Sequence, residues 1–166
     1  MRKRILSIVS SMAVLCCMLV VSAGTVVKAA SEEPIMVDGS YLTTEDSSTG
    51  KSSEDLTKGK HMMTGECSIS KAGVGRIYCF GATTANHDVD QLAVVVYVDQ
   101  YDEKTGDWLQ IDAWAEVIED DYFVYTSKSI MVDRGYYYRV HADHIVRKGE
   151  DPTEETFSFT DGIFIP

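Results

Sequence analysis

The sequence lacks the short patterns that mark the common enzyme chemistries. It has no Gly-x-Ser-x-Gly elbow, no phosphate-binding loop and no dinucleotide fingerprint. Cys-x-x-Cys and His-Glu-x-x-His are also missing. The two acidic turns, DQYDEKTGD (99–107) and EVIEDD (116–121), do not have the Asp-x-Asp-x-Asp-Gly spacing of a calcium loop. A paired-carboxylate hydrolase needs no such motif, because its two acids need not be near in sequence. A domain this small nevertheless has little room for a cleft. The expectation is a protein without catalytic residues, cofactor or metal. No internal repeat is present, which removes solenoids. No amphipathic helical window of useful length is present, which removes bundles. The chain ends on Ile163-Phe164-Ile165-Pro166 without a hydrophobic tail or basic terminus. Release or loose surface retention is expected, rather than wall anchoring.

Basic residues and cysteines are scarce, and scarcer once the N-terminus is considered. Arg2, Lys3 and Arg4 precede an uncharged apolar run from Ile5 to Ala23, and Val27-Lys28-Ala29 offers a small-residue exit. Residues 1–30 therefore read as a secretory signal peptide, cleaved after Ala29 or Ala30. The rival reading is an uncleaved anchor, since the run is nearly long enough to span a bilayer. A lipoprotein is excluded because Leu15 and Cys16, not small residues, precede Cys16 and Cys17. The signal carries four of the 15 basic residues and no acid. Eleven then face 26 acids, and the net charge moves from −11 to −15. Such a surface repels nucleic acid and anionic lipid. Neither is expected as a partner, and no stable membrane association is expected after cleavage. Cys67 and Cys79 remain, in an oxidising compartment that permits a disulfide.

From Ser31 to His61 the chain is rich in Ser, Thr, Glu, Asp, Lys and Gly. Such a segment buries too little apolar surface to offset its ordering entropy, so residues 31–61 read as a flexible acidic tail. Residues 62–166 have the size of one small domain. Seven β-branched or aromatic runs follow one another there. They are ECSISK, RIYCFGATTA, QLAVVVYVDQY, WLQIDAWAEVI, YFVYTSKSIMV, YYYRVHADHIV and ETFSFTDGIFI. Gly/Asp turn signals separate them. The expected fold is all-β, an antiparallel two-sheet sandwich of about seven strands, immunoglobulin- or fibronectin-like.

Three consecutive tyrosines, Tyr136 to Tyr138, fit that architecture. Such sandwiches carry a tyrosine corner, whose hydroxyl returns to backbone a few residues upstream. Val132, Gly135, Tyr138, Val140 and Ala142 match its spacing, so Tyr138 is expected at the corner. Tyr136 should share its face and Tyr137 should look outward. GECSIS, YYYRV with its following His, and TDGIFI resemble an uncharacterised family of small secreted β-rich proteins from Gram-positive bacteria. The resemblance covers Gly65 to Ile165 and implies no activity and no site residue.

Register suggests two further features. A hairpin centred on Gly73 opposes Cys67 to Cys79 and Ile69 to Ile77 on one apolar face, within reach of a disulfide. A four-residue loop at Glu103–Gly106 pairs Tyr101 with Trp108, Tyr97 with Asp112 and Val95 with Trp114. Tyr97, Tyr101, Trp108 and Trp114 would then form an aromatic strip among polar residues on the solvent side. Such a strip stacks on sugars or docks a protein. Cross-strand aromatic pairs also stabilise sheets, the tail or a loop could cover the strip, and a bulge could turn Trp114 inward as a core tryptophan. In HADH, His141 and His144 fall on opposite strand faces and give no zinc pattern. The sequence thus points to a secreted, non-catalytic binding module, with a glycan or a protein at the cell surface as partner. A structural envelope component without a ligand site, or a small hydrolase, is the alternative.

Overall fold

The computed structural model describes residues 34–53 and 59–166. The expected signal peptide, residues 1–30, lies outside the described residues. Among the described residues nine strands form one compact unit from Pro34 to Pro166. They are β1 (Met36–Val37), β2 (Ser40–Thr43), β3 (Ser47–Lys51), β4 (Met62–Lys71), β5 (Arg76–Asp102), β6 (Asp107–Met131), β7 (Tyr136–Arg147), β8 (Glu154–Phe159) and β9 (Gly162–Ile165).

β5 is the spine. β6 pairs with it from Arg76–Met131 to Asp102–Asp107. On its other edge, β4 takes the first half and β7 the second. Two pairs of runs that the sequence separates are therefore single strands. The polar stretch around His87 does not end β5. Four of its residues stand between the pairs Thr84–Phe123 and Val89–Asp121, against only Tyr122 on β6. Asp120 beside them takes a φ of +54°. Extra residues on one strand bend the ladder without ending it.

The bend folds the hairpin over, so the two halves of β5 face each other. Cys67, Ile69, Ile77, Cys79, Val94, Val96, Val98, Val140 and Ala142 fill the space between them and are buried. Each aliphatic side chain of this kind contributes roughly 1.5–3 kcal/mol relative to exposure. The approach is close at Gly81, where a Cβ would lie 2.6 Å from Val96 Cγ2 and 3.1 Å from Val94 Cγ2.

The fold is all-β and layered, but not as two antiparallel sheets of seven strands. One nine-stranded sheet curls on itself, in the order β1-β2-β9-β7-β5-β4-β3, with β6 and β8 branching from β5 and β7. It is mixed, because β2 runs parallel to β9. The folded unit also begins at Pro34 rather than Met62. Residues expected to be a flexible tail form β1, β2 and β3. Their order comes from hydrogen bonds rather than apolar burial. β3 adds five ladder pairs to β4, and the Ser40 hydroxyl donates to Thr160 O at 2.7 Å.

The β4–β5 turn corrects the cysteine pairing. The Ala72 N–H donates to Arg76 O and Lys71 pairs with Ile77, so the hairpin centres on Val74, not Gly73. Cys67 then opposes Gly81, and Cys79 opposes Ile69. The two cysteines become diagonal neighbours, roughly 7–8 Å apart at Cα and beyond ordinary disulfide reach. Both are free thiols. Burial pushes Cys67 up to about 11 and Cys79 up to about 12. Tyr138 is fully buried, and its hydroxyl donates to Asp133 O at 2.8 Å, five residues upstream. Tyr136 is exposed, while Tyr137 is half-buried and tilts against Phe164 at 5.1 Å.

Two outcomes follow. Tyr138→Phe leaves the Asp133 carbonyl without its partner and should lower unfolding free energy by about 1 kcal/mol. Tyr137→Phe should change it little, and urea titration of both variants checks this. A chain lacking residues 1–30 should release two titratable thiols on denaturation without reductant and almost none when native.

Candidate functional site

The β5–β6 turn decides what the second half of the sheet shows to solvent. Gly106 takes a φ of +78° and its N–H returns to Asp102 O at 2.8 Å. Tyr101 then pairs with Trp108, and Asp99 with Gln110. Ile111 is extra, so Val98 pairs with Asp112, Tyr97 with Ala113 and Val96 with Trp114. One inserted residue exchanges the faces of everything beyond it.

That bulge divides the expected aromatic strip. Trp114 turns to the inner face and lies against the core. Its Nε1 donates to Thr126 Oγ1 at 3.2 Å, and Lys128 Nζ sits 5.1 Å from the ring centre. Thr126 and Lys128 belong to the far half of β6, so Trp114 closes the open side of the curled sheet. Trp108 is covered by the N-terminal strands. Its Nε1 donates to Val37 O at 3.1 Å, and Arg139 lies over its ring at 4.6 Å. Tyr101 tilts against it at 5.4 Å. Of the four, only Tyr97 joins an open face.

That face is built by β5, β7 and β8. His141 lies between Tyr97 and Phe159, and Asp143 lies between Val95 and Phe157. Tyr97 and His141 stack at 4.5 Å and 10°. Phe157 and Phe159 stack at 6.2 Å and 17°. Beside these rings opens a cleft of about 300 Å³, bounded by Arg139, His141, Asp143, Phe157 and Phe159, with Asp38 also lining it. The Tyr97 hydroxyl donates to Asp143 Oδ2 at 3.1 Å. Burial and this bond to a carboxylate raise the phenol above its usual value.

An ionic cluster lies at one end of the cleft. Asp99 Oδ2 accepts from Arg139 Nε at 3.0 Å and from His141 Nδ1 at 3.1 Å. Burial alone would push Asp99 up. The hydrogen bonds and charges of His141 and Arg139 outweigh it and hold the carboxyl below its ordinary value. Arg139 also donates to Asp38 O, to the Asp38 carboxylate and to the Ser40 hydroxyl, which pins the β1–β2 turn beside the cleft. His141 Nδ1 is engaged by Asp99, which leaves the second imidazole nitrogen of His141 for a ligand. Ring faces, a carboxylate and an imidazole nitrogen together suit a ligand with apolar faces and hydroxyl groups.

The inner side of β8 is polar. Thr156, Ser158 and Thr160 are buried, while Phe157 is 51% and Phe159 39% exposed. His144 is fully buried between two hydroxyls, Thr83 Oγ1 at 2.9 Å from Nδ1 and Ser158 Oγ at 2.8 Å from Nε2. Thr83 spends its proton on Ala93 O, so it accepts from Nδ1–H, and Ser158 donates to Nε2. Gly65 admits the imidazole, since a Cβ there would lie 2.2 Å from the ring. Burial lowers His144 to about 4. His141 and His144 thus lie on opposite faces. Among the described residues no group of three or more His, Cys, Asp or Glu side chains is placed to hold a metal ion.

A family model described as a family of unknown function, DUF6147, matches residues 28–162. The chain belongs to that family. No curated protein matches it. The match reaches back over β1, β2 and β3, so the family's shared unit includes the segment whose composition suggested a tail.

Sequence reasoning missed Phe157, Phe159, Asp143, Asp99 and Arg139. The available signal was TFSFT, in which two phenylalanines alternate with three hydroxyls. Alternation assigns these to opposite faces but does not say which face is inside.

His144 makes stability depend on pH. Its folded pKa is depressed, so between the unfolded value of about 6.5 and about 4 the unfolded chain binds the extra proton. Stability is full above this window and falls as pH drops through it, by up to about 3 kcal/mol. An NMR titration should show the His144 ring untitrated down to about pH 4, with the urea midpoint falling over the same range.

Proposed function

We propose that the chain is a small, exported, non-catalytic binding module from a Gram-positive bacterium, acting at the cell surface or in the medium. The observation that carries the reading is the inverted polarity of β8. Burying two phenylalanines would contribute several kcal/mol, and this strand instead turns them outward and places hydroxyls in the core. Its outward rings then sit beside a cleft that Asp143 and His141 also line. A cell-surface glycan fits this arrangement better than a protein loop. Sugar rings present C–H faces to aromatic groups and, to carboxylate and imidazole, hydroxyls that both donate and accept. Export is supported by the basic start, apolar run and Ala29-Ala30 exit of residues 1–30.

A hydrolase would need an acid held protonated near neutral pH. Asp99 is shifted in the opposite direction and paired with Arg139, which favours binding over cleavage.

A glycan array is the test. The wild-type chain should bind a defined subset of glycans. Phe157→Ala and Asp143→Asn should each lose those signals roughly tenfold or more while melting within a few degrees of wild type. An array without signal, or signals indifferent to both substitutions, would remove the cleft from consideration.

A further inference from the structure

The other outer face, on the first half of the sheet, points away from the cleft because the inner faces of the two halves pack together. The pairing brings Ser70, Tyr78 and Ser129 into one row, and Ser68, Phe80 and Ser127 into the next. Beyond them Ala82 pairs with Tyr125, and Thr84 with Phe123. Along each strand such rows recur every ~7 Å.

The aromatic members form a line. Phe80 and Tyr125 stack at 6.2 Å and 28°, and Phe123 and Tyr125 at 5.8 Å and 24°. Tyr78, Phe123 and Tyr125 are 40%, 37% and 59% exposed. Hydroxyls flank the line on both sides. In these rows the charges are Lys51 and Glu66, which oppose each other in the β3–β4 ladder, and Arg76 stands in the next row beyond Tyr78. The aromatic line itself carries no charged side chain, on a chain of net charge −11.

Neutrality narrows the occupant. A polyanion would be repelled by the rest of the surface, and a cationic partner would be drawn to the acids elsewhere. A neutral chain with repeated C–H faces and hydroxyls meets both features, the near-parallel rings and the flanking serines.

We infer that this face is a second binding surface, taking a neutral polysaccharide laid along Tyr78, Phe80, Tyr125 and Phe123. It stands independently of the cleft, since it shares no residue with it. Two surfaces on opposite sides of one core let a single molecule hold two chains, and linked sites raise retention beyond either affinity.

Native electrophoresis of the full chain through gels containing hydroxyethylcellulose, galactomannan or soluble starch tests the inference, with carboxymethylcellulose as the anionic counterpart. At least one neutral polymer should retard the chain, with less retardation in the anionic gel. Tyr125→Ala and Ser127→Glu should each weaken that retardation roughly tenfold, and should do so to the same extent in a Phe157→Ala background. Tyr125 is exposed on an edge strand, and an unchanged melting temperature confirms that the variant folds. Equal mobility in every gel, retardation indifferent to Tyr125→Ala, or a concentration-dependent dimer abolished by Tyr125→Ala would overturn the inference. In the last case a second copy occupies the face. Loss on Phe157→Ala alone would assign the binding to the cleft instead.

Discussion

The structure depends on one long hairpin staying paired while it bends double. β5 and β6 remain paired on either side of the four extra residues before Val89 and the left-handed Asp120. Had the ladder ended there, two separate sheets would have needed other contacts to find each other. Because it continues, the halves are covalently and hydrogen-bond linked, and their inner faces are brought together at Gly81. β4 and β7 then fill the same edge of β5 at different heights, and the remaining strands extend from them. The core is a consequence of the bend more than of any pair of strands.

The second constraint is the distribution of polar groups. Thr83, His144, Ser158 and Thr160 are buried in a core made largely of valine, isoleucine and small residues, with Tyr138, Leu92 and Met62. Most of their hydrogen-bonding capacity is met internally: Thr160 Oγ1 accepts from Val140 N–H at 3.0 Å, and His144 is bonded at both nitrogens. A satisfied buried network specifies one arrangement, since any slip leaves groups unpaired at a cost of about 1–3 kcal/mol each. It also fixes which face of β8 meets solvent, and so places Phe157 and Phe159 beside the cleft. Asp99, Arg139 and Asp38 act similarly at the cleft's end, tying β1 and β2 to β5 and β7 through paired charge.

Much of the fold was legible in the residues. Alternating β-branched and aromatic runs with Gly/Asp turns are sufficient for an all-β domain, because the pleat imposes a period of two whatever the partner strands. Gly106 and the Tyr101–Trp108 pairing followed from loop length, and the spacing of Gly135 and Tyr138 pointed to the hydroxyl's return to Asp133. These are local properties, governed by backbone geometry within a few residues.

What tertiary structure alone decided is everything that depends on one residue of register or on a distant partner. The bulge at Ile111 sent Trp114 inward. A hairpin centre moved by one residue set Cys67 against Gly81 and left two thiols. Residues 34–53, too polar to fold by burial, were ordered by ladders to β4 and β9 and by the reach of Arg139. The polarity of TFSFT was settled by whether His144 lay within reach of Ser158. Period-two patterning determines which residues share a face. Which face is inside depends on hydrogen-bond partners far away in the chain, and no local pattern carries that information.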